Sequence, residues 1–207
     1  MIRKTLPLLL VVASANAFAY STLFPQRTWP SMPVTIEVRD TSVESSIASP
    51  DPDNGITQTI DALNDAVDGW NGAVPGLVDA VQSSNSLVAG DGTSTIAFND
   101  PLNICTFGCL AATLTGYYSG NTIDDADVVV SKKAAIKFTS EAEDVNGVGC
   151  FSEYYIEGIL VHEIGHVLGL GHSSTFGATM YSSVGTCNAT LDEIATDDEN
   201  GIQSLYP

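Results

Sequence analysis

The residues best suited to chemistry lie in one short stretch of this sequence. The chain contains three histidines, and all three fall between His162 and His172. His162 and His166 stand four positions apart, so on a helix their side chains lie on the same face, about one turn apart. Two neutral imidazole nitrogens at that spacing are suited to bind one zinc ion at roughly 2.0–2.1 Å. The spacing therefore predicts a metal site on a helix.

His172 is the predicted third ligand. If the helix continued straight, His172 would be carried away from the metal. Gly169 lets the chain turn, since glycine tolerates the left-handed conformation found at helix ends. Three protein ligands leave one coordination position for water, which is typical of catalytic rather than structural zinc sites. We therefore predict one catalytic Zn²⁺ ion held by His162, His166 and His172.

Glu163 is the predicted catalytic residue, because it directly follows His162 in the sequence. Zinc lowers the pKa of a bound water to about 7 and polarises a carbonyl group. A carboxylate beside that water can take its proton and later return it to the leaving amine. The stretch thus predicts zinc-dependent hydrolysis of peptide bonds, with Glu163 as the general base.

Two other functions are compatible with the same residues. A secreted module could bind zinc through the histidines without turnover, although the presence of Glu163 argues against that alternative. A zinc amidase acting on cell-wall peptides would apply the same chemistry to another substrate. Comparing the digestion of protein with the digestion of peptidoglycan separates these functions.

The strands that must support the site are predicted from the pattern of apolar residues. Apolar and polar residues alternate over 34–38, as in a half-buried strand. Three further segments, 94–98, 110–118 and 127–131, are rich in Val, Ile, Thr and aromatic residues.

Three helices are predicted. An apolar stripe at spacings of three and four predicts the first, and its members are Ile56, Ile60, Leu63, Val67 and Trp70. The second runs from about Ser152 to Leu168, where Gly169 ends it. The third begins with a capping box of Thr196 and Glu199. Its predicted buried face consists of Ile202, Leu205 and Tyr206. The order of elements predicts an α/β or α+β domain.

The N-terminus has the pattern of a secretory signal peptide. A basic start is followed by the apolar run 6–12 and by small residues at Ala17 and Ala19. We predict a signal peptide over residues 1–19 and an N-terminal arm over 20–33, with a short propeptide as a second interpretation of the arm. Residues 34–207 are the predicted zinc metallopeptidase catalytic domain. The protein is expected to be secreted, either to the extracellular space or to the periplasm of a Gram-negative host.

The charge excludes some classes of partner. Without Arg3 and Lys4, five basic side chains stand against 25 acidic ones, a formal charge of −20. Such a surface repels nucleic acid and anionic membranes, and we expect a monomer that binds neither. A solvated acidic surface is the simplest interpretation. Calcium, with oxygen ligands from Asp124, Asp125 and Asp127, is the alternative.

Four cysteines follow the predicted signal peptide, an even number that favours two disulfides. We favour the pairs Cys105–Cys109 and Cys150–Cys187 among the three pairings that four cysteines allow. A structural zinc site made of all four is the alternative, although the spacing argues against it.

The motif resembles that of a known clan. The segment from His162 to His172 matches H-E-x-x-H-x-x-G-x-x-H, the pattern of the metzincin zinc peptidases. Residues 178–181 look like the methionine turn of that clan, in which Met180 would form an apolar floor under the metal ligands. The resemblance implies a metzincin-like α/β (α+β) fold, with a twisted mixed sheet, two long helices, the methionine turn and a C-terminal helix.

Among metzincins the chain is most similar to the matrixins. Ser173 after the third histidine, the segment 125–128 and the ending 197–206 carry this likeness. It implies that a protein or peptide substrate binds extended across a cleft, in a pocket formed in part by residues 181–190. It also implies an edge strand that pairs with the substrate, for which 110–118 is the candidate, with an ordinary sheet strand as the alternative. The chain departs from the family in three respects, one of which is its predicted disulfides, since disulfides are unusual in a matrixin catalytic domain. It has no histidines outside the motif for a second zinc ion, and it lacks the Pro-Arg-Cys-Gly propeptide switch.

Overall fold

The computed structural model describes residues 19–39, 55–106, 108–117, 120–131, 136–139 and 152–207. Its centre is a five-stranded mixed sheet with the strand order β3-β2-β4-β6-β5. The strands are β2 (Val34–Arg39), β3 (Val78–Ser83), β4 (Thr95–Ala97), β5 (Ala111–Tyr117) and β6 (Ile123–Val130). The first four in the spatial order run parallel, and β5 pairs antiparallel with β6 at the edge of the sheet.

Alternating burial explains the strand β2, which was predicted at 34–38. Val34, Ile36 and Val38 are buried in the main core, and the residues between them are exposed or half-buried. Strands β4, β5 and β6 fall within or overlap the other predicted strands. Strand β3 was not predicted, because its sequence VDAVQS has only one buried residue, Val78, and lacks the pattern of a buried strand.

Helices α1 (Gly55–Ala73) and α2 (Ile156–Val167) pack against each other across the core. The predicted stripe on α1 is buried at Leu63, Val67 and Trp70. The side chains of the stripe's first two residues lie outside the described ones. Because the Trp70 indole N–H donates a hydrogen bond of 2.9 Å to the Val161 carbonyl, α1 also contacts the backbone of α2.

Two pairs of short strands flank the site. Strand β1 (Ser21–Thr22) pairs antiparallel with β9 (Leu170–Gly171), and β7 (Lys137–Thr139) pairs parallel with β8 (Glu153–Tyr155). The predicted start of α2 near Ser152 was therefore wrong by one turn. Residues 153–155 are held extended by the pairing with β7, so the helix begins only at Ile156.

Helix α3 (Thr196–Leu205) closes the described chain. The predicted capping box was wrong: the N-cap is Ala195, Thr196 is already helical, and no side chain caps the helix. The predicted inner face is confirmed at Ile202 and Leu205, which are buried. The expected α/β (α+β) fold, with a mixed sheet, two long helices and a C-terminal helix, is confirmed.

The disulfide between Cys105 and Cys109 is present. This pair excludes a zinc site made of all four cysteines. Cys187 is also disulfide-bonded. Since Cys150 lies outside the described residues, the Cys150–Cys187 pair stays a prediction. Within the described ranges, no helix is both long and apolar enough to cross a bilayer.

Candidate active site

The three histidines converge at the C-terminal end of α2. His162 and His166 lie one turn apart on the helix, with ring centroids 4.7 Å apart. The helix then stops at Leu168, and Gly169 takes a positive φ of 100°. The reversed chain brings the ring of His172 to 5.3 Å from that of His162 and 4.8 Å from that of His166. The turn predicted at Gly169 is thus confirmed.

Besides its positive φ, a close contact excludes any side chain at position 169. A Cβ atom there would lie 2.5 Å from the carbonyl oxygen of Arg27, in the N-terminal arm. Real Cβ atoms do not approach so closely. The glycine therefore serves both the left-handed turn and the close contact with the arm.

The nitrogens of the three rings form a suitable set of metal donors. One ligand atom from each of His162, His166 and His172 lies within 4.8 Å of the others. Burial lowers the pKa of His162 to about 3 and also lowers the pKa of His166 and of His172. The imidazoles are therefore neutral at physiological pH, which is the form that binds a metal.

Hydrogen bonds determine which ring nitrogen of His162 and of His166 is free to bind a metal. The Nδ1 atom of His162 lies 2.7 Å from the Thr179 carbonyl oxygen, and that of His166 lies 2.8 Å from the Leu170 carbonyl oxygen. A carbonyl only accepts, so each Nδ1 carries the proton and each Nε2 keeps its lone pair. This second layer of contacts is typical of metal-binding histidines, and the neutral three-nitrogen set fits zinc.

The methionine turn lies directly against α2. Met180 is 1% exposed, and a Cβ atom on Gly165 would lie 2.3 Å from the Met180 sulfur and 2.9 Å from the Trp70 ring. Only glycine allows this approach. The turn is tied back to the motif because the Ser173 N–H donates to the Met180 carbonyl at 2.7 Å. The predicted apolar floor beneath the histidines is present.

Asp198 supports this turn and was missed by the sequence reasoning. Its carboxylate, fully buried at the start of α3, accepts hydrogen bonds from the N–H groups of Thr179 (2.6 Å) and Met180 (3.2 Å). The Thr179 carbonyl in turn accepts from Nδ1 of His162, so α3 is connected to the cluster of three histidines through two hydrogen bonds. The only signal in the sequence was an acidic run, which does not single out its middle member.

Glu163 is 6% exposed, and its Oε2 atom accepts a hydrogen bond of 2.5 Å from the Thr113 hydroxyl on β5. Burial raises the pKa of Glu163 to about 7, and the bond from Thr113 opposes that rise. A carboxyl group with a pKa near neutrality both accepts and releases a proton at physiological pH. Glu163 lines the same cleft as His162 and His172.

This cleft has a volume of about 280 Å³. Its lining includes the segment 108–111, which leads into β5, and the segment 181–184. Tyr154, Ile159 and Leu191 also line the cleft, and together with Val184 they make part of its surface apolar. Of the pocket predicted at 181–190, the first four residues therefore line the cleft.

Comparison with known proteins identifies the family. Residues 105–207 match the sequence profile of the Matrixin family. Through residues 105–207 the chain belongs to the matrixin family. This matrixin segment contains the three histidines, Glu163, Thr113 and Met180.

The relatives of this matrixin match over short stretches. The chain is 44% identical over 63 residues to Metalloendoproteinase 1 of Glycine max, which covers 30% of this chain and 20% of that protein. It is 49% identical over 51 residues to Metalloendoproteinase 2-MMP of Arabidopsis thaliana, 25% of this chain and 13% of that protein. With Matrilysin of Homo sapiens the identity is 47% over 45 residues, 22% of this chain and 17% of that protein. The matches thus span a fifth or less of the relatives' length.

Proposed function

We propose that the protein is a zinc-dependent endopeptidase in which His162, His166 and His172 hold one zinc ion and Glu163 is the general base. The observation that carries this proposal is the convergence of three neutral imidazoles, with ligand atoms within 4.8 Å of one another, beside a buried carboxylate. The names of the relatives, which are metalloendoproteinases, support the same reaction.

The chain's own residues supply the proton transfers. Zinc, when bound, supplies Lewis acidity that polarises the scissile carbonyl and acidifies water. Glu163 accepts a proton from water on its carboxylate and returns it to the nitrogen of the leaving amine. Its position against β5, where water is largely excluded, keeps its pKa close to the pH at which both steps are needed.

A protein or peptide is the proposed substrate. Because β5 is the edge strand of the sheet and leads out of the cleft wall, an extended peptide can add to it through backbone hydrogen bonds. Ile159, Val184 and Leu191 favour an apolar side chain next to the scissile bond.

The remaining assignments are parts of the same proposal. We propose a signal peptide over 1–19, an arm over 20–33, a catalytic domain over 34–207 and a secreted monomer that binds neither nucleic acid nor membranes. The disulfide between Cys105 and Cys109 supports secretion, since disulfides persist in oxidising compartments. The short-propeptide interpretation of the arm has less support, because β1 pairs with β9 and so packs as part of the domain.

Calcium is a proposed second ion, at Asp125. Its side chain is 3% exposed, and the backbone N–H groups of Gly90 and Gly92 approach its carboxylate closely enough to lower its pKa, although neither oxygen makes a hydrogen bond of good geometry. Asp127, 1% exposed, lies two residues along the same strand and so on the same face. Calcium prefers clustered carboxylate and backbone oxygens, and it would compensate two buried charges.

The endopeptidase proposal is tested with purified, zinc-loaded protein on casein and on a peptide library. We expect cleavage that a chelator abolishes and zinc restores. Glu163→Ala should keep one zinc per chain but lose at least ~10²-fold in rate, the scale of general acid–base catalysis. Cleavage by the variant at the wild-type rate would refute the role of Glu163. Zinc binding without any cleavage would favour the silent module, and digestion of peptidoglycan alone would favour the amidase.

A further inference from the structure

Thr113 lies where a strand of the sheet meets the proposed catalytic base. It is the third residue of β5 and shares with Ala111 the face that packs toward the main core. Its hydroxyl oxygen lies 2.5 Å from Oε2 of Glu163 and 3.3 Å from the carbonyl oxygen of the same residue. A hydroxyl has one proton to donate, and the shorter contact, to the carboxylate, receives it.

Glu163 needs such a partner. A glutamate side chain has several rotatable bonds, and fixing its carboxylate costs conformational entropy. Within the described part of the chain, the Thr113 hydroxyl supplies the side-chain hydrogen bond that this carboxylate receives. With one oxygen bound to the sheet, Glu163 still lines the cleft.

The strand gives the hydroxyl a fixed position. Thr113 pairs with Val128 in the ladder between β5 and β6, and Val128 is fully buried. Threonine is branched at Cβ, which restricts the rotation about its first side-chain bond. The donor is therefore attached to the central sheet through the β5–β6 ladder, and to the strand along which we place the substrate.

We propose that Thr113 is a positioning residue that orients the Glu163 carboxylate for proton transfer and so couples the substrate-binding strand to the base. This inference rests on the proposed endopeptidase function. It assigns a role in the chemistry to a residue that the sequence placed only in a strand. The alternative is that Thr113 merely fills space beneath α2.

Two substitutions separate these roles. Thr113→Val keeps the shape and the branching of the side chain but removes the donor. Thr113→Ser keeps the donor but removes a methyl group. If Thr113 is a positioning residue, Thr113→Ser should keep its catalytic activity and Thr113→Val should lose activity. If Thr113 only fills space, the opposite is expected.

We expect kcat of Thr113→Val to fall roughly 10-fold, less than the ~10²-fold expected for losing the base itself, with KM unchanged. Thr113→Ser should stay near the wild-type kcat. Zinc stoichiometry and the absorption spectrum of the cobalt-substituted protein should be the same in all three proteins, whereas the unfolding midpoint of Thr113→Val should be lower because a buried carboxylate loses its donor. A valine variant with wild-type kcat, or one whose loss lies in KM or in metal content, would overturn the proposal.

A double-mutant cycle tests whether Thr113 acts through Glu163. In a Glu163→Ala background, Thr113→Val should cause no further loss of residual activity, because the carboxylate that it orients is gone. Additive losses would mean that Thr113 acts elsewhere, and would count against the inference.

A binding experiment keeps the inference testable even if the protein cleaves nothing. A short peptide hydroxamate chelates zinc and shares a proton with a neighbouring carboxylate, so its affinity depends on how Glu163 is oriented. We expect calorimetry to show roughly 10-fold weaker binding to zinc-loaded Thr113→Val than to the wild type and to Thr113→Ser. Weaker binding without cleavage in the wild type would refute the endopeptidase but support the positioning role. Equal binding by all three would refute the positioning role.

Discussion

The three histidines differ in how firmly the chain holds them. His162 and His166 lie on a buried helix, and each ring is bonded through Nδ1 to a backbone carbonyl. His172 lies on an exposed segment after β9 and depends on the turn at Gly169 for its position. Its side chain contributes little to the core, so it can be removed without disturbing the fold.

For His172→Ala we therefore expect a folded protein with weakened zinc binding, by at least ~10²-fold in Kd, since even the loss of an outer partner of a metal ligand costs 10–100-fold. The measurement is competition with a chromophoric chelator, together with thermal unfolding of the metal-free protein. Ser174→Ala, which removes an exposed side chain two positions away, is the control and should retain wild-type affinity. Equal affinities for the two variants would exclude His172 as a ligand.

The sequence was informative at this scale only where the participants are close together in it. The histidines and Glu163 fall within eleven positions, so their helical spacing could be interpreted directly. Thr113 lies 50 residues before Glu163 in the sequence, and Asp198 lies 19 residues after Thr179, to which it is hydrogen-bonded. Such partners meet only through the tertiary fold, and no local pattern indicates them.

At the scale of elements, the spacing between α2 and the methionine turn is set by Gly165. Gly165→Ala would place a methyl group on the Met180 sulfur and the Trp70 ring. We expect a loss of about 1–3 kcal/mol in the free energy of unfolding, the usual cost of overpacking a core, and weaker zinc binding because α2 carries two of the histidines.

Gly72→Ala is the matched control, because Gly72 is also helical and a Cβ atom there meets nothing within 4 Å. Alanine is the better helix former, so this variant should gain about 0.5–1 kcal/mol. Urea unfolding of the metal-free proteins measures both. A Gly165→Ala protein as stable as the wild type would show that α2 and the turn can separate without cost.

Periodicity predicted the existence of these elements better than their ends. The stripe on α1 and the alternation in β2 are properties of the local sequence, and both segments formed as expected. The start of α2 and the cap of α3 are decided by partners elsewhere. Pairing with β7 keeps 153–155 extended, and the turn at 179–180 uses the carboxylate of Asp198. Propensities within a segment carry no information about such partners.

At the scale of the whole molecule, stability should depend on pH through the buried carboxyls of β6. Burial raises the pKa of Asp127 to about 7, with a smaller contribution from Asp125, whose own pKa is also raised, chiefly by burial. A raised pKa means that the folded state binds the proton more tightly than the unfolded state. The resulting stability is present below about pH 4, and it is lost as the pH rises through about 7.

We therefore expect the unfolding midpoint of the calcium-free protein to fall between pH 5 and pH 8, and calcium to restore it at pH 8 by replacing the lost protons. Asp125→Asn should reduce both the fall and the response to calcium. Unfolding curves at several pH values, with and without calcium, provide the measurement. A midpoint at pH 8 that does not respond to calcium would remove the support for the second ion.

The pairing of β1 with β9 has a consequence for how the metal centre is assembled. Ser21 and Thr22 pair with Gly171 and Leu170, and the Ser21 hydroxyl donates to the carbonyl oxygen of His172 at 2.6 Å. The third histidine is therefore clamped by residues that lie more than eighty positions upstream of the matrixin segment. An excised fragment covering only residues 105–207 would contain every donor atom but would lack the β1 strand that holds His172 in place. The arrangement of the three histidines therefore depends on residues of the N-terminal arm as well as on residues 105–207, which contain the motif.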